Sequence, residues 1–128
     1  MIVLDTSVLI AYLSSGDAHH TAAKALLKSA APGELFVHST TLAEVLVGAV
    51  RSGRELAVNQ ALRDIGIRVA PQACDEPVQL ARLRSATRRK LPDCCVLLAA
   101  QETGARVATF DKALASAAAQ VGLAPSKL

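Results

Sequence analysis

Four short apolar runs, set apart by longer stretches with helical spacing, give this chain its rhythm. Ile2 to Leu4, Leu35 to Val37, Ile67 to Ala70 and Arg106 to Phe110 are rich in apolar or β-branched residues, and short enough to be buried parallel strands. A fifth, weaker run lies around Leu123 to Ala124. Between the runs, apolar residues recur three and four apart. Asp17 is placed to cap a helix reaching about Ala30, with Ala22, Ala25, Leu26 and Leu27 as its apolar side, before Pro32-Gly33 breaks the chain. Further helices are expected from Thr40 to Arg51, Glu55 to Ile65, Glu76 to Lys90, Pro92 to Thr103 and Asp111 to Gly122. A short apolar helix, Val8 to Leu13, follows the first strand. Strands alternating with helices imply βαβ units. The expectation is one α/β domain, residues 1–128, around a largely parallel four- or five-stranded sheet covered on both faces.

Composition narrows the setting. The chain is 52% hydrophobic and 20% charged, which excludes a disordered protein. The apolar stretch from Ile2 to Leu13 is interrupted by Asp5, Thr6 and Ser7 and has no basic region before it, so it reads as neither signal peptide nor membrane span. A cytoplasmic protein is expected. Of three cysteines, Cys94 and Cys95 are adjacent in an apolar run and read as packing, and neither they nor His19, His20 and His38 have zinc-ligand spacing.

The strand ends carry the chemistry. Open parallel sheets hold ligands at the carboxyl ends of their strands. Asp5 follows Ile2-Val3-Leu4 directly, and Asp111 follows Val107-Ala108-Thr109-Phe110. If those strands are neighbours, the two carboxylates converge, and such a pair must take up a proton or share a cation. Glu44 lies on the helix from Thr40, on a polar face with Thr40, Thr41, Gly48 and Arg51; a solvated glutamate would look the same. Asp93 stands in Leu91-Pro92-Asp93, a standard helix start in which an acid also complements the helix dipole. Asp111 also suits a helix cap, whereas Asp5, enclosed by Ile-Val-Leu and Val-Leu-Ile, is harder to explain structurally. An all-oxygen set selects a hard cation, Mg²⁺ or Mn²⁺, the metals that activate water against phosphodiesters. Thr6, Ser7 and Thr109 are hydroxyls beside two of these acids, placed to orient water or to cap helices.

These segments together resemble the PIN-domain nucleases, and within them the VapC-type toxins of toxin–antitoxin pairs. The resemblance is carried by Val3-Leu4-Asp5-Thr6-Ser7-Val8-Leu9, Thr41-Leu42-Ala43-Glu44-Val45, Leu91-Pro92-Asp93 and Thr109-Phe110-Asp111. It implies a three-layer α/β/α PIN fold and a Mg²⁺ or Mn²⁺ site on Asp5, Glu44, Asp93 and Asp111. It also implies endonucleolytic cleavage of RNA leaving a 5′-phosphate, a homodimer, and a cognate antitoxin that blocks the acidic groove, often with an arginine.

Charge fits a polyanion. The net charge is +3, and setting four site acids aside raises it to +7 for the remainder. With Tyr12, Phe36 and Phe110 as the only aromatics, nucleic acid is to be held through phosphates. Candidate contacts are Arg51, on the Glu44 face, and Arg82, Arg88, Arg89 and Lys90 before Asp93. At helical spacing Arg82 and Arg89 share one face while Arg84 and Arg88 share nearly the opposite one, so they form no single stripe and some serve only to solvate the helix. Two rival functions remain. One is a PIN nuclease acting on DNA or in housekeeping RNA processing. The other is a receiver-like Mg²⁺-binding signalling domain, against which Ile67-Arg68-Val69-Ala70 runs into Pro71 with no phosphoacceptor Asp.

Overall fold

Strand β1 (Ile2–Leu4) lies between β2 (Leu35–Val37) and β4 (Arg106–Ala108), parallel to both, and β3 (Arg68–Val69) adds in parallel outside β2. The order is β3-β2-β1-β4. In register, Val3 faces Phe36 and Val107, and Leu4 faces Ala108. This computed structural model describes every residue from Met1 to Leu128. Strand periodicity explains how one strand feeds two cores. Ile2 and Leu4 join one buried cluster and Val3 the other.

The helices divide accordingly. α1 (Thr6–Leu13), α2 (His20–Ser29), α3 (Ser39–Val50) and α4 (Glu55–Asp64) supply the Ile2/Leu4 cluster. α5 (Glu76–Thr87), α6 (Leu91–Thr103) and α7 (Lys112–Gln120) supply the other. The parallel sheet is thus covered on both faces, the expected three-layer arrangement. α6 is the internal pillar, its residues Cys94 to Ala100 all buried. Leu97, with no exposed surface, has nowhere to relax when truncated, and Leu97→Ala costs about 2–5 kcal/mol. No helix is long and apolar enough to cross a membrane.

Several expected boundaries shift for physical reasons. Asp17 does not cap α2. Its Oδ1 accepts from the His19 amide at 2.8 Å, closing a turn ahead of the helix, and His19 is the N-cap residue. α5 ends at Thr87 rather than Lys90, because Arg88 takes a left-handed conformation (φ 60°). β3 is an exposed edge of two residues instead of a buried strand. β4 ends at Ala108, and Thr109 and Phe110 turn off the sheet. The fifth strand shrinks to a single parallel bridge between Val107 and Pro125, and proline has no N–H with which to extend a ladder.

Candidate active site

The carboxyl end of β1 fixes the first acid. The Asp5 amide donates to the Ala108 carbonyl of β4 at 3.0 Å, so Asp5 is tied to the sheet before the chain enters α1. Only 7% of Asp5 is exposed. Its Oδ2 accepts from Ser7 Oγ at 2.8 Å and from Thr109 Oγ1 at 2.7 Å. Both hydroxyls then accept in turn: Ser7 Oγ from the Phe110 amide at 3.1 Å, Thr109 Oγ1 from the Asp111 amide at 3.0 Å. Each hydroxyl proton points at Asp5 and each lone pair meets a backbone N–H. A buried carboxylate is thereby satisfied by neutral donors.

The remaining acids ring this corner. Asp111 is the N-cap of α7, its Oδ1 accepting from Ala113 and Leu114 amides at 2.9 and 3.3 Å. Its Oδ2 lies 3.8 Å from Arg89 Nη2. Asp93, in the first turn of α6, accepts on Oδ2 from Arg89 Nε at 3.0 Å and Nη2 at 2.7 Å. Glu44, exposed on α3, accepts on Oε2 from Thr6 Oγ1 at 3.3 Å. The first turn of α1 thus reaches two acids, Thr6 to Glu44 and Ser7 to Asp5. Hydrogen bonds and ion pairs link Asp5 to Asp111 through Thr109, and Asp111 to Asp93 through Arg89. Glu44 joins them through Thr6, chain neighbour of Asp5.

No three acids, cysteines or histidines stand close enough to cage an ion. Mg²⁺ does not need such a cage. It demands near-ideal octahedral geometry, keeps several waters and uses one or two direct carboxylates rather than an all-protein cage. The donor set is hard oxygen throughout, and two of its carboxylates, Asp93 and Asp111, already share one cation, the Arg89 guanidinium. The chemistry of these side chains suits a hydrated hard divalent ion, and Asp5, Asp93, Asp111 and Glu44 are the groups that would hold one.

The basic residues separate. Arg89 faces into the site, and Asp93 above all, then Asp111, holds its guanidinium more firmly protonated than usual. The face-sharing expected with Arg82 fails, since the helix stops before Arg89. Arg82 and Arg88 are exposed on α5 and at its C-cap, and Lys90 is exposed at the N-cap of α6. Arg51 is the C-cap of α3, seven residues or about 10 Å along the helix from Glu44. Cys94 is buried, and burial pushes its thiol pKa up, as befits packing.

Two features escaped the sequence reading. His38 N-caps α3: its Nδ1 accepts from the Thr40 amide at 3.0 Å and its Nε2 meets Glu76 Oε1 at 2.7 Å, fixing the helix that carries Glu44. The signal was a polar side chain between a strand end and Ser-Thr-Thr. His19 stacks on Phe110, ring centroids 4.1 Å apart, against the strand-to-helix turn bearing Thr109 and Asp111. No sequence pattern joins those two.

Residues 2–120 match the family model of the PIN domain. The chain belongs to the PIN domain family. That membership sets aside the receiver-like alternative. Among solved structures, this PIN chain is similar to VapC20 of Mycobacterium tuberculosis, a sarcin-ricin loop cleaving toxin, at 21% identity over 100% of both chains with a TM-score of 0.77. It is similar to a toxin–antitoxin complex from Klebsiella pneumoniae at 30% identity over 87% of each chain, TM-score 0.69. It is also similar to FitAcB from Neisseria gonorrhoeae at 20% identity, over 99% of this chain and 97% of that one, TM-score 0.73. No curated protein matches the chain.

Proposed function

We propose that this PIN chain is a Mg²⁺- or Mn²⁺-dependent endoribonuclease, the toxin of a toxin–antitoxin pair acting in the cytoplasm, with Asp5, Glu44, Asp93 and Asp111 as its metal-holding and catalytic acids. One observation carries the reading: a buried Asp5 held by two hydroxyls at the carboxyl edge, with three further acids linked around it. Likeness to a toxin–antitoxin complex at 30% identity supports the toxin assignment. Mg²⁺ or Mn²⁺, when bound, would make a water easier to deprotonate at neutral pH and would offset charge on the phosphate.

The chain's own residues do the positioning. Ser7 and Thr109 fix which Asp5 oxygen is committed to the protein. Asp111 commits Oδ1 to the α7 amides and leaves Oδ2 directed into the site. Thr6 restrains Glu44. Arg88 and Lys90, exposed in the turn that leads to Asp93, are placed to hold RNA phosphates, and Arg82 and Arg51, further along their helices, to hold more distant ones. The antitoxin covers this acidic mouth, with an arginine as the natural partner for its carboxylates. The homodimer face is assigned to α1 and α3, where Ile10, Leu13, Val47 and Val50 are exposed and the first two line a groove of about 350 Å³. Val47→Asp is expected to turn the dimer into a monomer in sedimentation; an unchanged dimer places the interface elsewhere.

The deciding experiment is cleavage of a mixed RNA pool by purified protein with Mg²⁺, Mn²⁺ or EDTA, beside Asp5→Asn and Asp93→Asn. Metal-dependent cleavage falling by about 10³-fold in both variants is expected. Equal residual cleavage in wild type and variants would sink the nuclease assignment, and cleavage of DNA alone would change the substrate. Growth arrest on induction, relieved by the neighbouring gene product, separates a toxin from a housekeeping enzyme.

A further inference from the structure

Arg89 stands among the carboxylates, and the chain before it is built to put it there. α5 ends with Arg88 in the left-handed region (φ 60°), a conformation that strains a non-glycine residue. The turn is pinned from three sides. Arg84 Nη1 donates to the Arg88 and Arg89 carbonyls at 3.1 and 2.8 Å. The Cys94 thiol donates to the Arg89 carbonyl at 3.4 Å. The Arg89 amide donates to Thr87 Oγ1 at 3.2 Å, whose own proton goes to the Leu83 carbonyl at 2.7 Å. One nitrogen of Arg84 committed to two carbonyls holds a strained turn and so sets the aim of the next side chain.

That side chain is the guanidinium whose Nε and Nη2 both donate to Asp93 Oδ2 and whose Nη2 lies 3.8 Å from Asp111 Oδ2. It is 31% exposed, so it can swing outward without disturbing the core. Two cations on one carboxylate repel each other, so each weakens the other's hold. A guanidinium displaced from a carboxylate keeps the planar pair of donors that matches two phosphate oxygens.

We propose that Arg89 is the resident counter-cation of this site: it neutralises Asp93 and Asp111 in the metal-free protein, yields Asp93 when a divalent cation binds, and then takes a phosphate of the RNA backbone. The inference rests on the metal-dependent nuclease reading and gives Arg89 two successive partners. It is a positioning residue for Asp93 first and a substrate-binding residue second.

The test is Mn²⁺ titration of the full chain, followed by electron paramagnetic resonance of the free ion, for wild type, Arg89→Gln, Arg89→Lys and Asp93→Asn. RNA cleavage is measured at saturating Mn²⁺, and circular dichroism confirms folding. Removing the competing cation should make Arg89→Gln bind Mn²⁺ about fivefold tighter. The same variant should cleave roughly tenfold slower or worse, having lost its phosphate contact. Arg89→Lys, which keeps the charge but not the paired donors, should retain near-wild-type Mn²⁺ affinity and still cleave slowly, and it stands in if Arg89→Gln fails to fold. A purely structural arginine predicts the opposite sign: weaker metal binding once Asp93 loses its support. Equal or weaker Mn²⁺ affinity in Arg89→Gln, with wild type binding normally, overturns the counter-cation role. Tighter binding with undiminished cleavage overturns the phosphate role. Absence of Mn²⁺ binding in wild type and Arg89→Gln alike overturns the metal-site reading itself.

Discussion

The two ends of the acidic site are held by different physics. Asp5 is buried and satisfied by neutral hydroxyls from α1 and the β4–α7 turn, each of which has a second fixed partner. Asp93 is 22% exposed at its side chain and held by a formal charge on a side chain still more exposed. Neutral donors in a buried network fix a carboxylate without cancelling its charge. An exposed ion pair cancels the charge and is readily exchanged, contributing about 0–1 kcal/mol. One end of the site is therefore rigid and charged in advance, and the other is neutralised until something more strongly cationic arrives.

The largest test of this contrast compares where the stability sits. Asp5→Asn and Asp93→Asn should lose activity together, as proposed above, but disturbing their supports should not look alike. Thr109→Val keeps the shape of the side chain while removing the donor to Asp5 and the acceptor of the Asp111 amide. Leaving the Asp111 amide without its acceptor and Asp5 with one donor fewer costs about 1–3 kcal/mol in denaturant unfolding. Loss of the orienting hydroxyl lowers cleavage about 10- to 100-fold. Arg89→Gln, at the other end, should move the denaturation midpoint little while changing metal affinity. If Thr109→Val unfolds at the wild-type midpoint, or Arg89→Gln is the less stable of the two, the rigid and exchangeable ends have been assigned the wrong way round.

Most of the rigid end was legible in the sequence, and the exchangeable end was not. A strand followed directly by Asp5 and another closely followed by Asp111 need only be neighbours for their acids to converge, and β1 pairs β4. The hydroxyls of Ser7 and Thr109 were visible as neighbours of acids; their joint aim at one Asp5 oxygen required the β1–β4 register. By contrast, the place of Arg89 depends on a non-glycine residue with positive φ. Arg88 carries no chemical mark of that conformation, so helical spacing was extended through it and put Arg89 on a face with Arg82. Asp17 misled for a related reason: a side chain that can cap a helix can also close a turn before it. Thr41 was read as polar face beside Glu44, yet it is 2% exposed and buried with Val45, because α3 is covered by both α1 and α6. One sequence does not reveal how many neighbours a helix has.

The smallest expected effect concerns His38, which caps the helix carrying Glu44 and has features of both ends: it is buried like Asp5 and paired with a charge like Asp93. Two influences oppose each other on it. Cys95 first, and Glu76 after it, favour the imidazolium and alone would hold its pKa at about 9 against the cost of burial. The Thr40 amide needs the Nδ1 lone pair, and a second proton there would set N–H against N–H and strip the N-cap from α3. The cap is the stronger constraint, because the proton on Nε2 already serves Glu76. The signs differ and so can be measured. An imidazolium held at about 9 would contribute its stability in full below the unfolded value of 6.5 and lose it as pH rises through 9. A neutral, capping imidazole contributes in full above 6.5 and loses its contribution as pH falls below it, where the unfolded chain gains a proton that the native one resists. The gap in Tm between wild type and His38→Ala cancels most other titrations. It is expected to stay level between pH 6.5 and 9 and to narrow on the acid side. A gap that closes as pH rises through 9 would show that Glu76 and Cys95 win, and that the helix carrying Glu44 is held by charge, as Asp93 is.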